Sequence, residues 1–166
     1  MTMIEKTYPI TAKLILNALQ LAQQLHQDLN REAEALKKTP QAELINHIAA
    51  NKKQLVMQME QFNAQLAQVL ATENLPNDQG GIREYFKRAE TAGLLTTESI
   101  GNWAQLMLVC AECRSLNEQN GAGIDLLSRH TKRSLDILKG KPEFANTYGS
   151  DGSTQSDRYT HTLISV

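Results

Sequence analysis

Several things are scarce in this chain. Aromatic residues make up 5% of it against 41% hydrophobic residues in all, and the longest unbroken apolar run, residues 106–111, is six residues long. A membrane-spanning helix needs roughly 20 such residues, so no stable membrane insertion is expected. Net charge is nearly absent: 17 Lys and Arg oppose 18 Asp and Glu, which leaves −1. Without a cationic field the chain cannot hold a polyanion, and nucleic acid is excluded as an expected partner. Two cysteines are too few for a disulfide framework and agree with a reducing compartment. The first residues, Met-Thr-Met-Ile-Glu-Lys, lack the basic and apolar stretches of a secretory signal, so the cytoplasm is the expected location.

Proline is rare too, at positions 9, 40, 76 and 142, and the long stretches between are rich in Ala, Leu, Gln, Glu and Lys. The prolines therefore punctuate helices. A first helix is expected over about 10–38, with Leu14, Ala18, Leu21, Leu25, Leu29, Ala33 and Leu36 on one face. Thr39 and Pro40 provide an N-cap and first-turn proline for a second helix. Its seam reads Leu44, Ile48, Leu55, Met59, Phe62, Leu66 and Val69, close to a heptad pattern. The short connection predicts an antiparallel hairpin of the two. Turn formers over 75–81 break the second helix, and Ile82, Phe86 and Ala89 allow one short helix ending near Gly93.

The longest stretch, about 98–139, would span roughly 60 Å as one helix. Its seam runs through Trp103, Leu106, Cys110, Cys113, Asn117, Asn120, Ile124, Leu127, Thr131 and Leu135. The middle of that seam is polar and carries Gly121 and Gly123, which predicts a weak point, a bend or an exposed face. After Gly140 the composition turns to Gly, Ser, Thr and Asp, with too few apolar residues for a core. The expected fold class is all-α: an elongated antiparallel three-helix bundle or coiled coil, with a short extra helix between long helices 2 and 3 and a flexible C-terminal tail. A helical domain over 1–140 and a tail over 141–166 follow.

No catalytic chemistry assembles from these residues. Cys110 and Cys113 form a C-x-x-C string inside a helical pattern, where both read as small apolar seam residues. His26, His47, His130 and His161 are scattered and no Glu-x-x-His pair occurs, so no metal or other cofactor is expected. Asn120-Gly121-Ala122-Gly123 lacks the strand and the Lys-Ser/Thr of a phosphate loop, and serves either helix packing or close approach to a partner. Arg129, His130, Lys132 and Arg133 read as a solvated face whose cations complement a helix C-terminus. No nucleophile, base and orienting carboxylate can be grouped, so the chain is not expected to be an enzyme. Seam surface remains, and such surface binds other helices.

The run Leu116-Asn117-Glu118-Gln119-Asn120-Gly121 with Ile124, then Ser134-Leu135-Asp136-Ile137-Leu138-Lys139-Gly140, then Thr147-Tyr148-Gly149-Ser150-Asp151-Gly152, resembles the C-terminal signature of the FlgN family. Its members are cytoplasmic export chaperones of the bacterial flagellar type III secretion system. The resemblance implies a non-enzymatic chaperone that binds the C-terminal amphipathic helices of hook–filament junction proteins of the FlgK and FlgL type. It also implies delivery to the export gate protein FlhA through a tyrosine of the C-terminal region. Tyr148 stands at the matching position; because the chain continues past the Tyr-Gly-x-x-Gly motif, Tyr159 is a second candidate.

A helix that covers the apolar seam of a junction protein removes that seam from self-association. Leu116, Asn117, Asn120, Ile124, Leu127, Thr131 and Leu135 are the candidate cargo-binding residues. The alternative is that these positions are the chain's own packing seam, or the dimer seam of a coiled-coil adaptor. Phe144, Tyr148 and Tyr159 lie after Gly140, and aromatics are favoured binding anchors.

Overall fold

The structure, a computed structural model, describes residues 1–38, 42–139, 163–164 and 166. Four helices, α1 (Met3–Lys37), α2 (Ala42–Thr72), α3 (Gln79–Thr91) and α4 (Thr97–Lys139), account for nearly all of them, and no strand occurs among the described residues. The all-α expectation holds, as does the order of two long helices, a short one and a third long one.

The first helix starts before Pro9, not after it. Thr2 and Glu5 form a reciprocal capping box, with the Thr2 amide donating to Glu5 Oε2 at 2.7 Å and the Glu5 amide donating to Thr2 Oγ1. Pro9 lacks an amide hydrogen, so the Glu5 carbonyl is denied its helical partner. Tertiary contacts offset that loss: Ile4 and Tyr8 are buried, and the Tyr8 hydroxyl donates to the Leu95 carbonyl at 2.7 Å. The Tyr85 hydroxyl of α3 lies between the hydroxyls of Thr7 and Thr11 at 2.9 and 3.0 Å, and burial pushes its pKa up. The buried face of α1 is also turned relative to expectation. Ala18, Leu25 and Leu29 are buried as expected, Leu14, Leu21, Ala33 and Leu36 are half-buried, and Ile15, Leu19 and Ala22 are buried in addition.

In α2 the expected seam is the observed one: Ile48, Leu55, Met59, Phe62 and Leu66 are buried, with Leu44 and Val69 half-buried. The expected Thr39–Pro40 cap lies outside the described residues. At the other end Asn74 adopts φ 56° and the amides of Leu75 and Asn74 donate to the carbonyls of Leu70 and Ala71, a Schellman cap. Gly93, φ 82°, closes α3 the same way through Leu94 and Ala89. Asp78 caps the start of α3 by accepting the Gly81 amide at 2.7 Å, which brings Gly80 and Gly81 into its first turn instead of the preceding loop. A Cβ on Gly81 would overlap the Pro76 carbonyl, so the chain needs glycine there.

The long helices form extensive α1–α4 and α1–α2 interfaces, with no comparable α2–α4 interface among the described residues. α1 is thus the central helix, with α2 antiparallel to it and α4 parallel. Most of the expected tail lies outside the described residues. Its end does not: Ile164 is 3% exposed within the core, and Leu163 and Val166 pack against it. The expectation that no residue after Gly140 enters a core is corrected at these positions.

Two glycine substitutions separate steric need from helix propensity. Gly81→Ala is expected to destabilise the fold by about 1–3 kcal/mol through overlap with Pro76. Gly121→Ala, with nothing among the described residues within 4 Å of the new methyl, is expected to stabilise it by about 0.5–1 kcal/mol. Urea unfolding of both variants checks the pair.

Candidate partner-binding surface of α4

α4 is one continuous helix through its polar middle, where Ser115, Asn117 and Gly121 are exposed, so of the expected weak point, bend or exposed face it is the exposed face that is seen. The polar residues hold α4 against α1 in a single register. Tyr8 and Ser99 meet at 3.0 Å, the Cys113 thiol donates to the Ala22 carbonyl at 3.5 Å, and the Asn120 amide donates to the Leu29 carbonyl at 2.9 Å. Each pair is 91 positions apart in sequence. Along either helix the contacts fall two heptads and then one heptad apart, the repeat that keeps two parallel helices facing each other.

A buried carboxylate organises the last of these contacts. Glu32 is fully buried, and its Oε1 accepts from Asn120 Nδ2 at 3.0 Å and from Lys52 Nζ at 2.9 Å. Lys52 also donates to Asn117 Oδ1 at 3.2 Å, so one ammonium group joins all three long helices. A buried charge is tolerated only when paired, and Glu32 therefore requires both neighbours in place. Sequence reading missed Glu32 and Lys52, though a signal existed. Lys52 stands in the seven-residue gap of the α2 seam between Ile48 and Leu55, and Glu32 sits on the buried face of α1, one turn after Leu29.

The candidate cargo residues divide along α4. Leu116 and Ile124 are half-buried, Leu116 against the core. Asn117 is exposed and bonded to Lys52, while Asn120 is buried and bonded to α1. Leu127, Thr131 and Leu135 lie in the helix, but their side chains are outside the described part. In the 91-residue register Lys37, the last residue of α1, aligns with Ser128, so residues 129–139 of α4 continue where α1 has ended. Tyr148 and Tyr159 lie outside the described residues. Elsewhere α3 and α4 flank a cleft of about 400 Å³ lined by Ile82, Phe86, Trp103 and Met107 together with Arg83 and Lys87.

Cys110 and Cys113 are buried free thiols on the seam. Burial pushes both pKa values up to about 12, which removes the thiolate that redox or metal chemistry needs. No cluster of three or more His, Cys, Asp or Glu that could hold a metal occurs among the described residues. No helix there is long and apolar enough to cross a membrane.

The family model of the FlgN protein matches residues 7–156. The chain belongs to the FlgN family. Membership supports the general role of a flagellar export chaperone, in a family that is not enzymatic. No curated protein and no solved structure matches the chain.

Removing Lys52 strands Glu32, so Lys52→Ala in this FlgN-family chain is expected to lower stability by about 3 kcal/mol in urea unfolding, the lower end for a broken buried pair. Both thiols stay protonated at pH 8, and Ellman-type labelling of the native chain is expected to run at least ~100-fold slower than in the unfolded chain. Folding holds these protons, so the thiols stabilise the fold fully below pH 9.0, and that contribution is lost as pH rises towards about 12.

Proposed function

We propose that this FlgN-family chain works in the cytoplasm by binding the C-terminal amphipathic helices of hook–filament junction proteins, of the FlgK and FlgL type. It prevents their premature association and delivers them to the export gate protein FlhA. The observation that carries this reading is the register of α4, which runs eleven residues past the aligned end of α1. The candidate stripe Leu116, Ile124, Leu127, Thr131 and Leu135 spans that departure, at spacings suited to a helix-in-groove contact. Asn117 and Asn120 take the positioning part, since their side chains fix α4 against Lys52, Leu29 and Glu32. Tyr148 and Tyr159, both after Gly140 in the sequence, are the gate-binding candidates.

The same α4 extension suits a second copy of the chain, as a coiled-coil adaptor would use it. Size-exclusion chromatography with light scattering, on the chain alone and mixed with the C-terminal helical region of a junction protein, separates the two. A heterocomplex of defined stoichiometry is expected; a tight homodimer that ignores the junction helix would put the adaptor reading first. Within the complex, Ile124→Asp is expected to weaken cargo binding at least ~10-fold while helicity is kept, and Tyr148→Ala to leave it unchanged while weakening gate contact.

A further inference from the structure

The last residues of the chain return to the bundle. Asn63 of α2 donates from Nδ2 to the Ile164 carbonyl at 3.0 Å, across 101 positions of sequence. Ile164 is buried in the core, and Leu163 and Val166 pack against it. Asn63 Oδ1 is also buried and has no hydrogen-bond partner among the described residues. A side-chain amide that gives one bond to a peptide carbonyl and keeps a buried acceptor beside it is suited to reading a peptide backbone, whose amide would fill the second position. Here only half of that capacity is used. The segment also lies beyond residues 7–156, the part that the family model matches.

The helix register locates this seat. Lys52 faces Glu32 across the antiparallel α1–α2 pair, so Asn63, eleven residues further along α2, stands level with Leu21 of α1. Its neighbour Ala22 accepts the Cys113 thiol, which puts the seat level with α4 one turn before Leu116, where the candidate cargo stripe begins. Among the described residues one buried isoleucine, two nearby aliphatic residues and one side-chain hydrogen bond make a small contact. A competing aliphatic segment with more area to bury can displace it.

We propose that Leu163, Ile164 and Val166 are an internal occupant of a peptide-docking seat on α2. In the free chain they cover its apolar surface, and an aliphatic segment of the cargo takes the seat and expels them. The displacement step rests on the chaperone reading above; the self-docking does not. The seat is sequence-tolerant, because Asn63 reads backbone, and selective for aliphatic side chains at the buried position that Ile164 takes.

The test uses full-length chain and a fluorescein-labelled peptide of residues 156–166, followed by fluorescence anisotropy. In the wild type the attached segment occupies the seat and the probe binds weakly. Ile164→Asp frees the seat and is expected to tighten probe binding at least ~10-fold, since apparent affinity scales with the fraction of open sites. Asn63→Ala added to Ile164→Asp is expected to lose most of that gain. If Ile164→Asp lowers helicity, Ile164→Gly replaces it.

An unlabelled junction-protein helix is then expected to release the probe. Equal probe binding by wild type and variant, or none by either, would overturn the internal occupant. A junction helix that binds beside a retained probe would overturn the shared seat. A junction helix that binds no form of the chain, while the variant still captures the probe, would remove the chaperone reading and with it the displacement step, leaving self-docking intact.

Discussion

A single buried carboxylate constrains the arrangement of the long helices. Glu32 lies fully buried near the C-terminal end of α1, and its partners come from the two flanking helices: Lys52 from α2 and Asn120 from α4. Sliding α4 by one residue would withdraw Asn120, and sliding α2 would withdraw Lys52, each leaving a buried charge under-satisfied. Apolar packing along the helices tolerates such shifts far better, because leucine and alanine contacts are not directional. The Tyr8–Ser99 and Ala22–Cys113 contacts repeat the same register at heptad intervals, so the polar pairs act together as a ruler along the parallel α1–α4 pair.

That ruler has a functional consequence. With α1 as the central helix and α4 set 91 positions ahead, the end of α1 falls short of the end of α4. The part of α4 that anchors the bundle and the part proposed to meet a partner are then successive stretches of one helix. The polar middle that reads in sequence as an interruption belongs to the anchoring stretch, through Asn117 and Asn120. An export chaperone needs this division, since its own fold must survive while it exchanges one helical partner for another. Cys110 and Cys113 belong to the packing of the anchoring stretch, and burial there pushes both thiols up to about 12.

Helices were legible where period and punctuation agreed. The α2 seam was readable because its apolar residues occupy one narrow stripe, and the short α3 because Ile82, Phe86 and Ala89 share a face and Gly93 marks its end, while its start at Asp78 was hidden among turn formers. The start of α1 was not readable, because Pro9 signals a boundary that buried Ile4 and Tyr8 overrule. Its buried face was ambiguous for a different reason. Leu14, Ile15, Leu16, Leu19 and Leu21 surround the helix, so packing partners and not periodicity choose among them, leaving Leu16 exposed. The polar layer was visible only in pieces, as a gap in the α2 seam, a charge on the α1 face and asparagines in α4. Nothing within one helix shows that Glu32, Lys52, Asn117 and Asn120 lie at the same height. The return of Ile164 to the core was invisible altogether, since it depends on a contact across 101 residues.

The most direct test of the central claim is hydrogen exchange, read by mass spectrometry, of the chain alone and with a junction-protein helix bound. The account predicts new protection over residues 116–139 of α4, while the α1 segment containing Tyr8, Ala22 and Leu29 exchanges as before. Protection confined to α1, or loss of protection at the Glu32–Asn120 layer on binding, would contradict a fixed frame that carries a separate partner surface.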